Sequence, residues 1–165
     1  MKLYIKQKVF SWRDKFAVWD EQQHDRWFAQ GKVFSWGRKL QIFDEQGREA
    51  AFIRQKIMTL MPKYFIEIEG VTYTLAKELT LLKPRFRLEN ADWTISGNFL
   101  GHEYEVLNGS EQVMSLSRQW LSWGDSYELD IPRPENELLC LCVALAIDCV
   151  HADAAGASSA SISGN

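Results

Sequence analysis

The sequence lacks any apolar stretch long enough to cross a membrane. Its longest apolar run, Leu138–Ile147, is about half the length that a bilayer-spanning helix requires. The N-terminus, Met1–Lys6, alternates apolar and charged side chains and has no continuous apolar segment of the kind found in signal peptides. We therefore expect a soluble cytoplasmic protein without a transmembrane span.

Cysteine is scarce, and its three copies, Cys140, Cys142 and Cys149, all fall in one apolar segment. Residues two apart on a helix point in different directions, so Cys140 and Cys142 are not expected to share a metal ion or form a disulfide. We predict three small buried side chains in a reducing compartment, and no metal site.

An excess of positive charge and a catalytic constellation are also missing. The net charge of -3 argues against nucleic acid as the main partner, because neutralising phosphates needs a broad basic surface. The three histidines, His24, His102 and His151, have neither metal-ligand nor catalytic-triad spacing. We interpret His102 as part of a hairpin turn. The sequence therefore predicts no catalytic residue and no cofactor.

A repeated hairpin is the most informative feature that is present. Lys8-Val9-Phe10-Ser11-Trp12 recurs as Lys32-Val33-Phe34-Ser35-Trp36, and weaker copies follow along the chain. Each copy is an alternating strand, a turn of about four residues and a second alternating strand, with turn signals such as Asn108-Gly109 between copies. Six hairpins predict about twelve antiparallel strands. A meander that long tends to remove its edges by closing into a barrel.

The alternation predicts which side chains face the barrel interior. The inward set is Phe16, Val18, Leu40, Ile42, Tyr64, Ile66, Ile68, Phe86 and Leu88. The outward set is Lys15, Lys39, Lys63, Arg85 and Arg87.

The segment after the last strand has no polar face. Pro132 and Pro134 end that strand, and no position in Leu138–Ile147 is polar, so a helix from about Glu135 to Val150 must be surrounded by protein. A barrel of about twelve strands is wide enough to enclose one helix. The fold class is therefore mainly β, a closed barrel around a buried C-terminal helix. We expect residues 1–151 to form a single domain and residues 152–165 to form a flexible, low-complexity tail.

Segments along the whole chain resemble the LURP-one-related family of the Tubby C-terminal-like superfamily, which also includes phospholipid scramblases. The matching segments are Lys6-Gln7-Lys8, Lys32–Gly37, Ile53–Lys56, Lys83–Phe86, Gly97–Tyr104, Ser117–Asp125 and Ala144–Asp148. The resemblance implies a twelve-stranded barrel around a central hydrophobic helix in a small cytosolic protein. Because Tubby relatives bind phosphoinositides and scramblases are membrane-associated, it makes a phospholipid headgroup a candidate ligand by analogy of fold.

A basic strand is the first candidate binding feature. Lys83, Arg85 and Arg87 alternate with apolar residues, so the two arginines are expected side by side on the outer face. Such cations can hold a phosphate headgroup or another anion. The alternative is an ordinary solvated strand face.

Tryptophans at hairpin turns are the second candidate. Trp12, Trp36 and Trp123 stand in alternate turns, which an up-and-down barrel places at one mouth. Grouped with cations, they suit a membrane interface or a protein partner. The alternative is that the indoles fold over the mouth and cap the core.

A polar cluster inside the same mouth is the third candidate. The helix must start at the far end of the barrel and return, which brings Asp148 to the tryptophan end. Inward polar positions expected there are Gln7, Gln55, Lys77 and Arg118. We predict an ion pair or hydrogen bond from Asp148 to Arg118 or Lys77. The cluster is interpreted as a structural polar plug.

These features together predict a non-enzymatic domain that binds an anionic ligand, such as a phospholipid headgroup, or a protein partner. The alternative is a small enzyme with a pocket at the barrel mouth.

Overall fold

The computed structural model describes residues 1–6, 16–32, 36–81, 83–121 and 124–160. Within these ranges the chain forms twelve strands, short 3-10 turns at Glu89–Ala91 and Pro134–Asn136, and one α-helix, α1, at Glu137–Ala160. The strands are β1 (Lys2–Lys6), β2 (Phe16–Trp19), β3 (Asp25–Gly31), β4 (Lys39–Phe43), β5 (Glu49–Gln55), β6 (Lys63–Ile68), β7 (Val71–Glu78), β8 (Arg85–Leu88), β9 (Trp93–Asn98), β10 (Glu103–Asn108), β11 (Glu111–Leu121) and β12 (Gly124–Asp130).

Each strand pairs antiparallel with the next, and β12 pairs with β1 to close the barrel. At the closure, Lys2 lies opposite Asp130 and Ile5 lies opposite Tyr127. The predicted fold class, a closed antiparallel barrel of about twelve strands with a C-terminal helix, is confirmed. Closure leaves none of the described strands with an unpaired edge, which is why a sheet of this length is stable without a covering layer.

This topology gives the barrel two distinct ends. The connections that follow odd-numbered strands form one end, which we call the mouth; its described residues are Lys32, 36–38, 56–62, 79–81, 83–84 and 99–102. The connections that follow even-numbered strands form the opposite end, the base, at residues 20–24, 44–48, 69–70, 89–92, 109–110 and 131–136. Helix α1 begins at the base and runs toward the mouth.

The core lies between the inward strand faces and the helix. Every side chain from Cys140 to Ile147 is buried, and the three cysteines are buried as predicted. The inward set is buried at Val18, Leu40, Ile42, Tyr64, Ile66, Phe86 and Leu88 and half-buried at Ile68. The side chains of Phe16 and Lys15 lie outside the described residues. Within the described ranges, no helix combines the length and apolarity needed to cross a membrane.

The start of the helix is fixed by a buried carboxylate at the base. Glu137 is only 8% exposed. Its carboxylate accepts hydrogen bonds from Trp27 Nε1 at 2.8 Å and from Arg26 Nε and Nη2 at 3.3 and 3.1 Å. Because Arg26 and Trp27 belong to β3, these bonds set the axial position of the helix within the barrel.

The helix is longer than the sequence predicted. It starts two residues after the expected Glu135 and ends at Ala160, ten residues after Val150. The added residues are mostly alanine and serine, and alanine is the strongest helix former, so backbone propensity accounts for the extension. The domain boundary at residue 151 and the flexibility of the tail stay predictions.

Candidate binding surface at the barrel mouth

Charge is divided unequally between the two ends of the barrel. The described mouth residues include four cations, Lys32, Arg38, Lys56 and Lys83, and no carboxylate. The base connections carry eight carboxylates and two cations, namely Asp20, Glu21, Asp44, Glu45, Glu69, Glu89, Asp92 and Glu135, with Arg48 and Arg133. Although the chain has a net charge of -3, the described part of its mouth is therefore positive.

The residues of the predicted basic strand extend from the mouth toward the base. Lys83, Arg85 and Arg87 are exposed, as the register predicted. Arg87 forms an ion pair with Asp92 of the base, which balances its charge. Arg85 begins β8 near the mouth, where its pairing partner on β7 is Glu78. Lys83 lies in the β7–β8 connection itself, so it is the member of the set that belongs fully to the mouth.

Large apolar side chains are concentrated at the same end. Eight large apolar residues are exposed in the described part of the chain, and seven of them lie in mouth connections. The seven are Trp36, Ile57, Met58, Leu60, Leu79, Leu81 and Leu100. The eighth, Val71, lies next to the base. A patch of this kind on a stable fold is typical of an interaction surface.

Trp36 is 88% exposed, so it does not cap the core, and that alternative is wrong for this residue. Trp12 and Trp123 lie outside the described residues. The expectation that all three indoles share one mouth therefore stays a prediction.

Neighbouring mouth loops are held together by short contacts. Gly37 has a left-handed φ of +74°, and a Cβ added there would lie 2.8 Å from Cγ2 of Ile57. The backbone N–H of Arg38 donates to Oε1 of Gln55 at 3.0 Å, and that of Lys77 donates to the Pro62 carbonyl at 3.1 Å. These contacts join the β3–β4 connection to the β5–β6 hairpin and the β5–β6 connection to the end of β7.

Beneath this surface, the helix brings Asp148 to the mouth, as the topology predicted. Its Oδ1 lies 3.9 Å from Nδ1 of His102 in the β9–β10 turn. The His102 ring stacks on Tyr127 of β12 with ring centroids 4.3 Å apart, and the residue has a left-handed φ of +53°. One helical turn further on, His151 stacks on Phe99 at 6.0 Å.

Burial controls the protonation of Asp148, His102 and His151. It raises the pKa of Asp148 from 3.8 to about 7, and the charge of Arg38 opposes the rise. Burial lowers the pKa of His102, and the charges of His151 and Arg118 lower it further. The pKa of His151 is lowered by burial and by Lys77. Asp148 therefore changes charge near neutral pH, and the two histidines are neutral there.

Three of the predicted cluster members occupy inward positions toward the mouth ends of their strands. Gln55 pairs with the buried Tyr64, Lys77 with Phe86 and Arg118 with Tyr127. The pairing of Asp148 with Arg118 or Lys77 stays a prediction, and Gln7 lies outside the described residues. The sequence interpretation missed both histidines. The signal was available, since the topology that places Asp148 at the mouth also places the His102 turn there.

A closed twelve-stranded barrel with one C-terminal helix defines a fold class, and comparison with known proteins gives the family. The profile of the LURP-one-related family matches residues 1–148, and the chain belongs to that family. Uncharacterized protein YxjI of Bacillus subtilis (strain 168) is 38% identical over 151 residues, which cover 91% of this chain and 93% of that protein. The X-ray structure of an Arabidopsis thaliana protein matches 89% of each chain with a TM-score of 0.59 and 17% identity, which shows a shared fold.

Proposed function

We propose that this chain is a non-enzymatic cytoplasmic domain that binds an anionic phospholipid surface through its mouth. The observation that carries the proposal is the division of charge, with cations and no carboxylate in the described mouth connections and eight carboxylates in the base connections. The three buried cysteines, which are not joined in a disulfide, support a reducing compartment.

The division of charge favours one orientation on a membrane. Each Lys or Arg near an anionic leaflet contributes about 1 kcal/mol of attraction, which falls off within a Debye length of about 8 Å. The base lies a barrel length from the mouth. Its carboxylates therefore come close enough to the lipid to be repelled only when the base, and not the mouth, faces the membrane. The mouth is therefore the end expected to face the lipid.

Vesicle flotation at low and physiological salt tests the proposal. We expect binding to vesicles of phosphatidylcholine with phosphatidylglycerol, and none to phosphatidylcholine alone. Lys83→Glu removes one attraction and adds one repulsion, so binding should fall by about thirtyfold. Arg133→Glu makes the same charge change at the base and should leave binding nearly unchanged.

Absence of binding to anionic vesicles at low salt would remove the proposal. Equal losses in Lys83→Glu and Arg133→Glu would mean that net charge, and not the mouth, governs binding. Capture of an acidic protein with no vesicle binding would favour a protein partner instead.

The alternative of a small enzyme at the mouth has one supporting observation, the proximity of His102 and Asp148. Groups that titrate near neutral pH can act as general acids and bases. Turnover of aryl esters or aryl phosphates by the purified chain, abolished in His102→Gln, would overturn the non-enzymatic part of the proposal.

A further inference from the structure

We infer that the mouth binds by inserting its exposed apolar loop side chains into the interface of an anionic bilayer, and not by surface charge alone. This inference rests on the proposed function and adds the depth and mode of contact. It concerns the seven exposed mouth residues, which we call the apolar tips: Trp36, Ile57, Met58, Leu60, Leu79, Leu81 and Leu100.

The apolar tips come from four consecutive connections around the rim. Trp36 lies in the β3–β4 connection, Met58 in β5–β6, Leu79 and Leu81 in β7–β8, and Leu100 in β9–β10. Met58, Leu60 and Leu81 are essentially fully exposed. Strands joined by a continuous hydrogen-bonded ladder support all four connections, so their tips can reach a flat surface together.

Two cations lie within two residues of an apolar tip along the chain. Lys56 precedes Ile57 and Met58, and Lys83 follows Leu79 and Leu81. Both lysines are exposed. When the leucine and methionine side chains enter the acyl boundary, ammonium groups on adjacent residues reach the level of the phosphates. Interfacial proteins combine apolar burial with attraction to anionic lipid in this way.

Charge favours a lipid surface over a second copy of the chain. Two mouths packed face to face would oppose the same set of cations, which is destabilising. The tips also project from separate loops, so they suit a soft surface that closes around each one. The occupant is therefore an anionic bilayer.

The double variant Leu79→Ser/Leu81→Ser tests insertion. Because both side chains are exposed, the variant should fold normally, which thermal unfolding and circular dichroism will check. We expect affinity for phosphatidylcholine/phosphatidylglycerol vesicles to fall by at least about tenfold. The control Val71→Ser removes the exposed apolar residue near the base and should bind like the wild type.

Depth of insertion gives an independent measurement. The native cysteines are buried, so a fluorophore attached at Leu100→Cys reports on the mouth alone. Spin labels on the upper acyl chain should quench it more strongly than spin labels on the headgroup.

Wild-type affinity in the double variant, with stronger quenching by the headgroup label, would overturn the inference and leave the proposed function standing. No vesicle binding by the wild type would overturn both. A dimer in sedimentation velocity that Leu79→Ser/Leu81→Ser dissociates would show that a second copy covers the tips, and would also overturn the inference.

Discussion

The imidazole of His102 and the carboxylate of Asp148 approach to 3.9 Å, which joins the β9–β10 turn of the barrel wall to the central helix. The contact involves the turn that carries Leu100, one of the apolar tips. The β9–β10 turn therefore contributes both to the His102–Asp148 contact in the interior and to the exposed surface of the mouth.

Replacing Asp148 by Asn should stabilise the protein at alkaline pH. The pKa of Asp148 is about 7 in the folded chain, against 3.8 ordinarily, so the folded state favours the protonated form. Its contribution to stability is present below about pH 4 and is lost as the pH rises through 7. The amide of the variant stays neutral at every pH, so the variant should exceed the wild type by a few kcal/mol at pH 8, up to about 4.

Urea unfolding at pH 4, 6 and 8 measures this difference. The pKa values of His102 and His151 are lowered, so these groups cost stability as the pH falls below about 6.5. Comparing the wild type with Asp148→Asn at each pH cancels the contribution of the histidines, because both proteins contain them. A variant less stable than the wild type at pH 8 would contradict the prediction.

Asp148 and Arg118 should be energetically coupled. Arg118 lies on an inward position, and its charge acts on His102, the neighbour of Asp148. In a cycle of Asp148→Asn, Arg118→Met and the double variant at pH 8, we expect a coupling energy of at least about 0.5 kcal/mol. If the changes in unfolding free energy of the two single variants, measured by thermal unfolding, simply add in the double variant, the two side chains act independently.

Removing the charge of Glu137 should loosen the helix at the base. Glu137→Gln weakens its bonds to Arg26 and Trp27 in a buried site and should cost about 1–3 kcal/mol. Glu45 contacts the same Arg26 at 3.2 Å but is half exposed, so Glu45→Gln should cost less than about 0.5 kcal/mol. Equal effects of the two variants in denaturant unfolding would contradict this account of how the helix is anchored.

A side chain at Gly97 should disrupt the β9–β10 hairpin. Its φ is +147°, and an added Cβ would lie 2.5 Å from the carbonyl oxygen of Glu103, a backbone atom that cannot move away alone. We expect Gly97→Ala to cost about 3 kcal/mol or more. Gly47 has a φ of +77° with no atom within 4 Å, so Gly47→Ala should cost only about 1 kcal/mol. Similar melting temperatures for the two variants would refute the steric explanation.

The strand pattern was predictable because alternation reports directly on which face is buried. Leu40, Ile42, Tyr64 and Ile66 follow it without exception. The all-apolar run of α1 similarly required an enclosed position. The position of the helix end was missed, because the alanines and serines after Val150 form neither an apolar pattern nor a helix-ending signal.

The candidate binding surface at the mouth was less predictable from the sequence. Leucines such as Leu79 and Leu81 resemble core residues in composition, and only their position in a mouth connection shows that they are exposed. The division of charge could have been found, since each connection can be assigned to one end once the strands alternate. His102 was interpreted as a turn residue, and it is both a left-handed turn residue and a partner of Asp148.

The pairing of β1 with β12 also has a consequence for folding. Strand β1 forms its ladder with a strand that lies more than a hundred residues later, and the N–H of Ile131 bonds to the carbonyl of Met1 at 2.9 Å. The helix that fills the interior follows all twelve strands. Barrel closure therefore waits until β12 has left the ribosome, and until then the inward strand faces remain open to chaperones and to misassembly.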